Sequence, residues 1–308
     1  MTEATSSGEA GLPQGYDRHD LRVGERLLES LSYGPEDGPA LVHHSGTPSA
    51  AVPFEQLAQP AAARGLRTIT YSRPGYGTST AEKGRCVADA VSDTLAVLDA
   101  LGHDSFTTMG WSGGGPHALG CGALAPDRCR MVAVVAGVAP YAADGLDFMD
   151  GMGAENVIEF DLAKQGGPDF ESFLEVAAEV MVALDEDSIG EAFGDLVTDK
   201  DRATVAGPIG EYLVASLKRA FAQGTAGWRD DDLAILSSWG FNVDAPSVPV
   251  TIWQGSEDRM VPAAHSRWLA AHVPSARLQI YEGEGHLSVM GVILDALLDE
   301  LAAASWSR

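Results

Sequence analysis

The sequence predicts an α/β fold whose sheet is mostly parallel, doubly wound and covered by helices on both faces. Two observations carry this. Segments with strand and helix patterning alternate from residue 39 to residue 138, and the alternation resumes at residue 248. The run 130–138 is continuously apolar and rich in β-branched residues, as a strand buried on both faces must be.

Taken in order, residues 16–33 alternate about a turn at Gly24 and read as an antiparallel hairpin. Residues 39–44 form a short apolar strand that runs into the sharp loop Ser45-Gly46-Thr47-Pro48. A helix over 54–64 and a strand over 66–71 lead to a second turn-rich loop, Arg73-Pro74-Gly75-Tyr76-Gly77. Val87, Val91, Leu95, Leu98 and Leu101 recur at helical spacing within 86–101. A strand over 106–111, a small-residue helix over 114–124 and the strand 130–138 follow. Between 139 and 244 no strand is convincing, and helices are expected over 154–164, 169–184, 211–222 and 231–239. The pattern then returns as a strand over 248–253, a helix over 262–272, a strand over 276–281 and a closing helix over 287–304. This divides the chain into a polar, loosely docked or disordered arm (1–15), a core (16–138 and 245–308) and a helical cap inserted over the sheet (139–244). Glycines at 145, 151, 153, 166, 167 and 224 mark possible hinges of a mobile lid.

Composition narrows the function classes. The formal net charge of −24 repels nucleic acids and anionic membrane surfaces, and its simplest consequence is solubility. No apolar run reaches the length of a membrane span, and the N-terminus lacks the pattern of a secretory signal. Three unpatterned cysteines, Cys86, Cys121 and Cys129, suggest neither disulfides nor a metal site, and point to a reducing cytoplasm.

Chemistry concentrates at Gly110-Trp111-Ser112-Gly113-Gly114, a G-x-S-x-G pattern at a strand-to-helix junction. Such an elbow exposes the serine and aims free helix N–H groups at the reacting centre. A serine hydroxyl needs a base within reach, and the base needs an orienting acid. Asp258 follows the strand 248–253, and His286 follows the strand 276–281 between glycines. Both fall past the C-terminal strand ends, the edge where parallel sheets bind ligands. Glu257 is the alternative acid, and Asp258 is preferred. His117, His265, His272 and His103 read as packed or surface histidines, and Cys121 as a packed thiol. Gly113 and Thr47 are the expected backbone donors of an oxyanion hole. His43 and His44 are expected to shape the Thr47 loop through hydrogen bonds.

With Ser72–Gly77, Gly255–Asp258, Val261-Pro262 and Gly283–His286, these motifs resemble the α/β-hydrolase superfamily from residue 16 to 304. The resemblance implies a serine hydrolase, with Ser112 as nucleophile, His286 as base and Asp258 as acid. It also implies no metal or organic cofactor. The retained serine disfavours the branches that use an aspartate nucleophile. Ser45-Gly46 stands where the family often has His-Gly. The helical cap also looks like that of proline-iminopeptidase-type enzymes, but the elbow and oxyanion-loop motifs of that branch are missing. An esterase for small neutral or apolar esters or lactones is therefore expected first, an aminopeptidase or amidase second, and a non-catalytic small-molecule receptor third. Trp111, Trp228 and Trp239 are candidate pocket residues, with Phe241, Met149, Met152 and Phe160 beside them.

Overall fold

The computed structural model describes residues 4–6, 12–274 and 276–306 of the 308-residue chain. Strand β1 (Ala4–Ser6) pairs antiparallel with β2 (Tyr16–Val23), which turns back into β3 (Arg26–Tyr33). The turn is Gly24-Glu25, with Gly24 at φ 63°, the position at which a two-residue hairpin loop favours glycine. Of the predicted arm, residues 1–3 and 7–11 lie outside the described residues, while Ala4–Ser6 is a strand of the sheet.

The core continues as β4 (Ala40–His44), α1 (Glu55–Ala63), β5 (Arg67–Tyr71), α2 (Asp89–Ala100), β6 (Phe106–Trp111), α3 (Gly115–Leu124) and β7 (Cys129–Val135). An insertion carries α4 (Ala154–Gln165), α5 (Pro168–Ala183), α6 (Ile189–Ala192), α7 (Asp199–Val205), α8 (Pro208–Ala220) and α9 (Ala226–Leu236). The chain closes with β8 (Val250–Gly255), α10 (Ala263–His272), β9 (Ala276–Tyr281) and α11 (Ser288–Trp306). Among the described residues the sheet has nine strands in the order β1-β2-β3-β5-β4-β6-β7-β8-β9. From β5 to β9 along that order every pairing is parallel, and β3 joins β5 antiparallel. This is the expected mostly parallel sheet with an antiparallel start. Alternate side chains of the buried strands feed two cores. Leu41, Met109, Ala133 and Trp253 pack under Leu57 of α1 and Ile293 and Leu297 of α11. Val42, Val132, Val134 and Ile252 pack under Val91 and Leu98 of α2, Leu119 of α3 and Leu269 of α10.

Three sequence expectations need correction. The strand expected over 130–138 ends at Val135, because Ala136 turns to φ 49° and leaves the extended region. The helix expected over 231–239 is α9, so it starts earlier and stops before Trp239. The helices α6 and α7 were not foreseen, being too short to show apolar periodicity. The Thr198-x-x-Asp201 capping box that starts α7 is the signal that could have found it.

The helices between β7 and β8, called the cap below, are fastened to the rest of the chain through buried polar groups. Asp231 of α9 is wholly buried and accepts from Arg73 Nη2 (2.5 Å), Arg85 Nη2 (2.7 Å), Tyr76 Oη (3.0 Å) and Thr47 Oγ1 (2.8 Å). Burial opposes its charge, but the two guanidinium groups outweigh burial and hold the carboxyl far below its usual range. On α8, Ser216 Oγ meets Ser49 Oγ at 2.6 Å and accepts from the Ala50 N–H at 3.1 Å. Arg219 of the same helix pairs with buried Glu29, which also pairs with Arg18. The glycines at 145, 151, 166, 167 and 224 all take positive φ, the first two ahead of α4, the next two between α4 and α5, and the last between α8 and α9. The helices on either side of Gly224, α8 and α9, nevertheless carry these fixed contacts. Among the described residues no helix is long and apolar enough to cross a membrane.

Removing one partner of a buried ion pair strands the other charge, which typically costs about 3–5 kcal/mol. Asp231→Ala strands two cations, so its unfolding free energy is expected to fall by at least that amount. Urea unfolding followed by circular dichroism checks this. A loss below about 1 kcal/mol would mean that Arg73 and Arg85 reach solvent.

Candidate active site

Strand β6 ends in Trp111, and Ser112 turns the chain at φ 56° into a single 3₁₀ turn that continues as α3. A non-glycine residue at that φ is strained, and it is held there by close backbone approaches on both sides. A Cβ at Gly110 would collide with the Gly114 carbonyl, and a Cβ at Gly114 with the His44 carbonyl. The glycine spacing of the motif is therefore a packing requirement of the elbow. A Cβ at Gly113 would meet Thr47 Oγ1 at 2.6 Å and Thr47 N at 3.4 Å, so glycine there lets the two expected N–H donors lie side by side. Gly113 is in the first helical turn, where N–H groups have no acceptor within the helix. Among the described residues the Thr47 N–H makes no bond to another backbone group.

Arg73 shapes the Thr47 loop. Its guanidinium donates to the carbonyls of Ser45 (2.7 Å) and Gly46 (2.8 Å) and to Thr47 Oγ1 (3.0 Å) while paired with Asp231. The sequence reading gave this work to His43 and His44, and the structure does not. Among the described residues His43 Nε2 and His44 Nδ1 have no hydrogen-bond partner, and the other nitrogen of His44 faces Cys121 Sγ at 3.7 Å. Burial and the Arg73 charge push the His43 pKa down to about 3, so the ring is neutral.

His286 lies between β9 and α11, and its Nδ1 bonds Asp258 Oδ2 at 2.7 Å. With a carboxylate accepting there, Nδ1 carries the proton and Nε2 is free to accept one. Asp258 is held in turn by Gln254 Nε2 (3.0 Å) and by the N–H groups of Met260 (2.9 Å) and Val261 (2.8 Å). Gln254 is fixed by Ser266 Oγ at 2.7 Å. The indole of Trp111 donates to the His286 carbonyl at 3.3 Å and stacks near its ring. Burial disfavours the charged imidazole, but the charge and hydrogen bond of Asp258, reinforced by Asp201, outweigh burial and raise its pKa above the ordinary 6.5. Ser112 Oγ makes no hydrogen bond among the described residues; in serine enzymes the bond to the base often tightens only with substrate present.

Asp201 was not anticipated from sequence. It comes from α7 of the cap, yet it accepts from the N–H groups of Leu287 (2.9 Å) and Ser288 (2.8 Å), next to His286. Gly285 makes room for it, since a Cβ there would collide with the carboxylate. The cap thus sets the backbone from which the histidine projects.

Ser112, Gly113, Thr47, Trp111 and His286 line one cavity of about 370 Å³, within the range of small-molecule sites. Its apolar wall includes Phe160, Phe173, Met181, Leu217 and Ile235. Trp228 lines it as expected, but Trp239 does not: its indole donates to the Ile235 carbonyl and packs against Phe241 beside α2. Met149, Met152 and Phe241 are likewise away from the lining, whereas Phe160 belongs to it. Two acids interrupt the apolar wall, Glu159 of α4 and Asp232 of α9. Burial raises both, Glu159 to about 7, although bonds from Trp228 and Asp232 work to lower it. Two carboxylates in contact repel by roughly 4 kcal/mol even at an effective dielectric of about 20. Burial and mutual repulsion therefore both favour a proton on the pair.

A family model described as the alpha/beta hydrolase fold matches residues 39–291. The chain belongs to this family. A non-heme chloroperoxidase of Streptomyces lividans is 26% identical over 260 residues, covering 82% of this chain and 87% of that protein. Epoxide hydrolase B of Mycobacterium tuberculosis is 26% identical over 206 residues, but these span 64% of this chain and only 55% of the relative. Among solved structures, an esterase from Exiguobacterium antarcticum superposes with a TM-score of 0.63 at 19% identity, covering 92% of this chain and 96% of that one. At that identity the likeness speaks for the α/β-hydrolase fold alone.

The reaction of Ser112 with a fluorophosphonate should accelerate with pH, because a base must be neutral to accept the serine proton. Since His286 is raised, the midpoint is expected above 6.5. Asp201→Asn keeps an oxygen for the Leu287 and Ser288 N–H groups but removes a charge, so its midpoint should move down while most of the rate survives. Asp201→Ala should lose rate roughly tenfold or more by freeing the histidine backbone. Stopped-flow or gel-based labelling from pH 5 to 9 measures both; a midpoint unmoved by Asp201→Asn counts against the Asp201 contribution.

Proposed function

We propose that the chain is a serine hydrolase acting through an acyl-enzyme, and that its substrates are small neutral or apolar carboxylic esters or lactones. The carrying observation is Ser112, strained at φ 56° in the wall of the cavity that also receives His286, whose far nitrogen is held by Asp258. In this reading Ser112 Oγ attacks the ester carbonyl carbon while His286 Nε2 takes its proton. Asp258 stabilises the imidazolium that forms. The carbonyl oxygen becomes an oxyanion, and the N–H groups of Gly113 and Thr47 receive it. The imidazolium then protonates the departing alkoxide, leaving the acyl group on Ser112. Water, deprotonated by the same histidine, releases the acid and restores the serine.

The apolar lining supports an apolar acyl or alcohol group, and Ser112 at the elbow supports a serine rather than a carboxylate nucleophile. The relatives include an esterase fold neighbour, in keeping with this chemistry.

A fluorophosphonate should add one adduct mass to the wild type and none to Ser112→Ala, read by intact-protein mass spectrometry. Turnover of p-nitrophenyl esters from acetate to octanoate should disappear in Ser112→Ala and in His286→Ala, with losses of roughly 10⁴-fold or more. Persistent turnover in Ser112→Ala would sink the nucleophile assignment. Phe173→Ala should change the ranking of acyl lengths; an equal effect on every ester would remove that side chain from the acyl pocket.

A further inference from the structure

Asp258 holds the proton-bearing nitrogen of His286, and two peptide N–H groups hold Asp258. These N–H groups, of Met260 (2.9 Å) and Val261 (2.8 Å), reach the same carboxylate oxygen, Oδ1. Each belongs to a planar trans peptide whose carbonyl points the opposite way. The first peptide joins Arg259 to Met260, and the second joins Met260 to Val261. Both carbonyls are taken, on their far side, by the start of α4. The Gly153 N–H donates to the Arg259 carbonyl at 2.8 Å, and Asn156 Nδ2 donates to the Met260 carbonyl at 3.0 Å. Gly153 immediately precedes α4 and Asn156 is its third residue, so one helix start spans both peptides. Gly153 is among the glycines that the sequence marks as possible hinges. Its φ is an ordinary −64°, and a Cβ there would meet Leu196 Cδ2 at 2.7 Å, so close packing requires the glycine. Asn156, Met260, Val261 and His286 all line the cavity that holds Ser112.

We propose that Asn156 is a positioning residue for the His286–Asp258 pair, acting through the Met260–Val261 peptide. The inference rests on the hydrolase reading in taking that pair as the base and its orienting acid. A peptide whose carbonyl accepts a hydrogen bond is polarised, and its N–H then donates more strongly, by on the order of 10–30% per bond. The peptide is also fixed in plane, because rotating it would break bonds at both ends. Oδ1 of Asp258 is thereby pinned, and Oδ2 of the same rigid carboxylate is aimed at His286 Nδ1. The hydrogen bonds run without a gap from Asn156 Nδ2 through the peptide and the carboxylate to the imidazole. Anchoring α4 alone would be served by any carbonyl of the core. The two carbonyls it uses are those joined to the donors of Asp258. Asp201 does the matching work on the other loop, where it takes the N–H groups of Leu287 and Ser288. Both loops that carry the pair are therefore set from the cap.

Two variants remove the donor without emptying the space. Asn156→Leu keeps the volume. Asn156→Asp keeps the shape and places a carboxylate in the first turn of α4, where the helix dipole favours it. Proton NMR below the raised His286 pKa reads the pair directly, because an Nδ1 proton held by a carboxylate resonates far downfield of the amides. The signal is assigned by its loss in His286→Ala. In both Asn156 variants it should move upfield and broaden. With p-nitrophenyl acetate, kcat should fall roughly tenfold or more while KM stays within about twofold, since the base is misaligned and a small substrate keeps its contacts. A wild type without the resonance, or a resonance unmoved in both variants, would overturn the proposal whatever happens to the rate. So would a rise in KM at constant kcat, which would make Asn156 a substrate contact. Fluorophosphonate labelling of Ser112 in the same preparations tests the hydrolase reading by itself: a resonance that answers to Asn156 in an unlabelled protein upholds the positioning of the pair and removes the esterase.

Discussion

The buried contact between Arg73 and Asp231 is the constraint on which the rest of the site depends. Arg73 stands in the loop after β5, and Asp231 stands in the cap, 158 positions later. Their pairing joins core to cap, and the same guanidinium holds the carbonyls of Ser45 and Gly46 beside the strand-to-helix turn at Ser112. Burial of two such groups is tolerable because the charges are paired and further hydrogen bonds surround both. Arg85, Tyr76 and Thr47 complete the set around the carboxylate. The loop that brings Thr47 beside Gly113 is thus fixed from behind by Arg73 and Asp231, which do not belong to the cavity lining.

A second cap carboxylate governs the other half of the site. Asp201 closes the capping box of α7 with Thr198 and accepts the first free N–H groups of α11. One side chain therefore satisfies two helix starts. Its negative charge sits behind the histidine and adds to that of Asp258. The insertion is consequently more than a cover: through Asp231 it holds the Ser45–Thr47 loop, through Asp201 the loop that carries His286, and through Glu159 and Asp232 it places two acids in the cavity lining. Helical geometry explains how α9 serves two of these ends at once, since residues one apart point about 100° away from each other. Asp231 faces the core while Asp232 faces the cavity.

Much of this was legible in the chain. The parallel sheet follows from continuous apolar strands and from helices of opposite apolar face. The elbow follows from glycines at positions 110, 113 and 114, each of which the backbone approaches too closely for a side chain. Asp258 and His286 could be expected at one sheet edge because both follow strands. The insertion was recognised by the interruption of a pattern, yet its short helices α6 and α7 escaped, since seven residues or fewer cannot display periodicity.

By itself the sequence determined the fold, the strand-to-helix turn at Ser112 and the order of the three residues proposed to act there, because these rest on local spacing and on the edge of a parallel sheet. Only the tertiary structure decided which tryptophan reaches the cavity. Trp228 and Trp239 are alike in sequence, but the second lies beyond the end of α9 and turns to the core on α2. Only the tertiary structure, too, assigned different partners to three identical aspartates in a row, and showed Asp201 to belong to the histidine loop 85 residues further on. The reason is physical. A buried charge takes its meaning from the groups that compensate it, and those groups come from elements far apart in the chain.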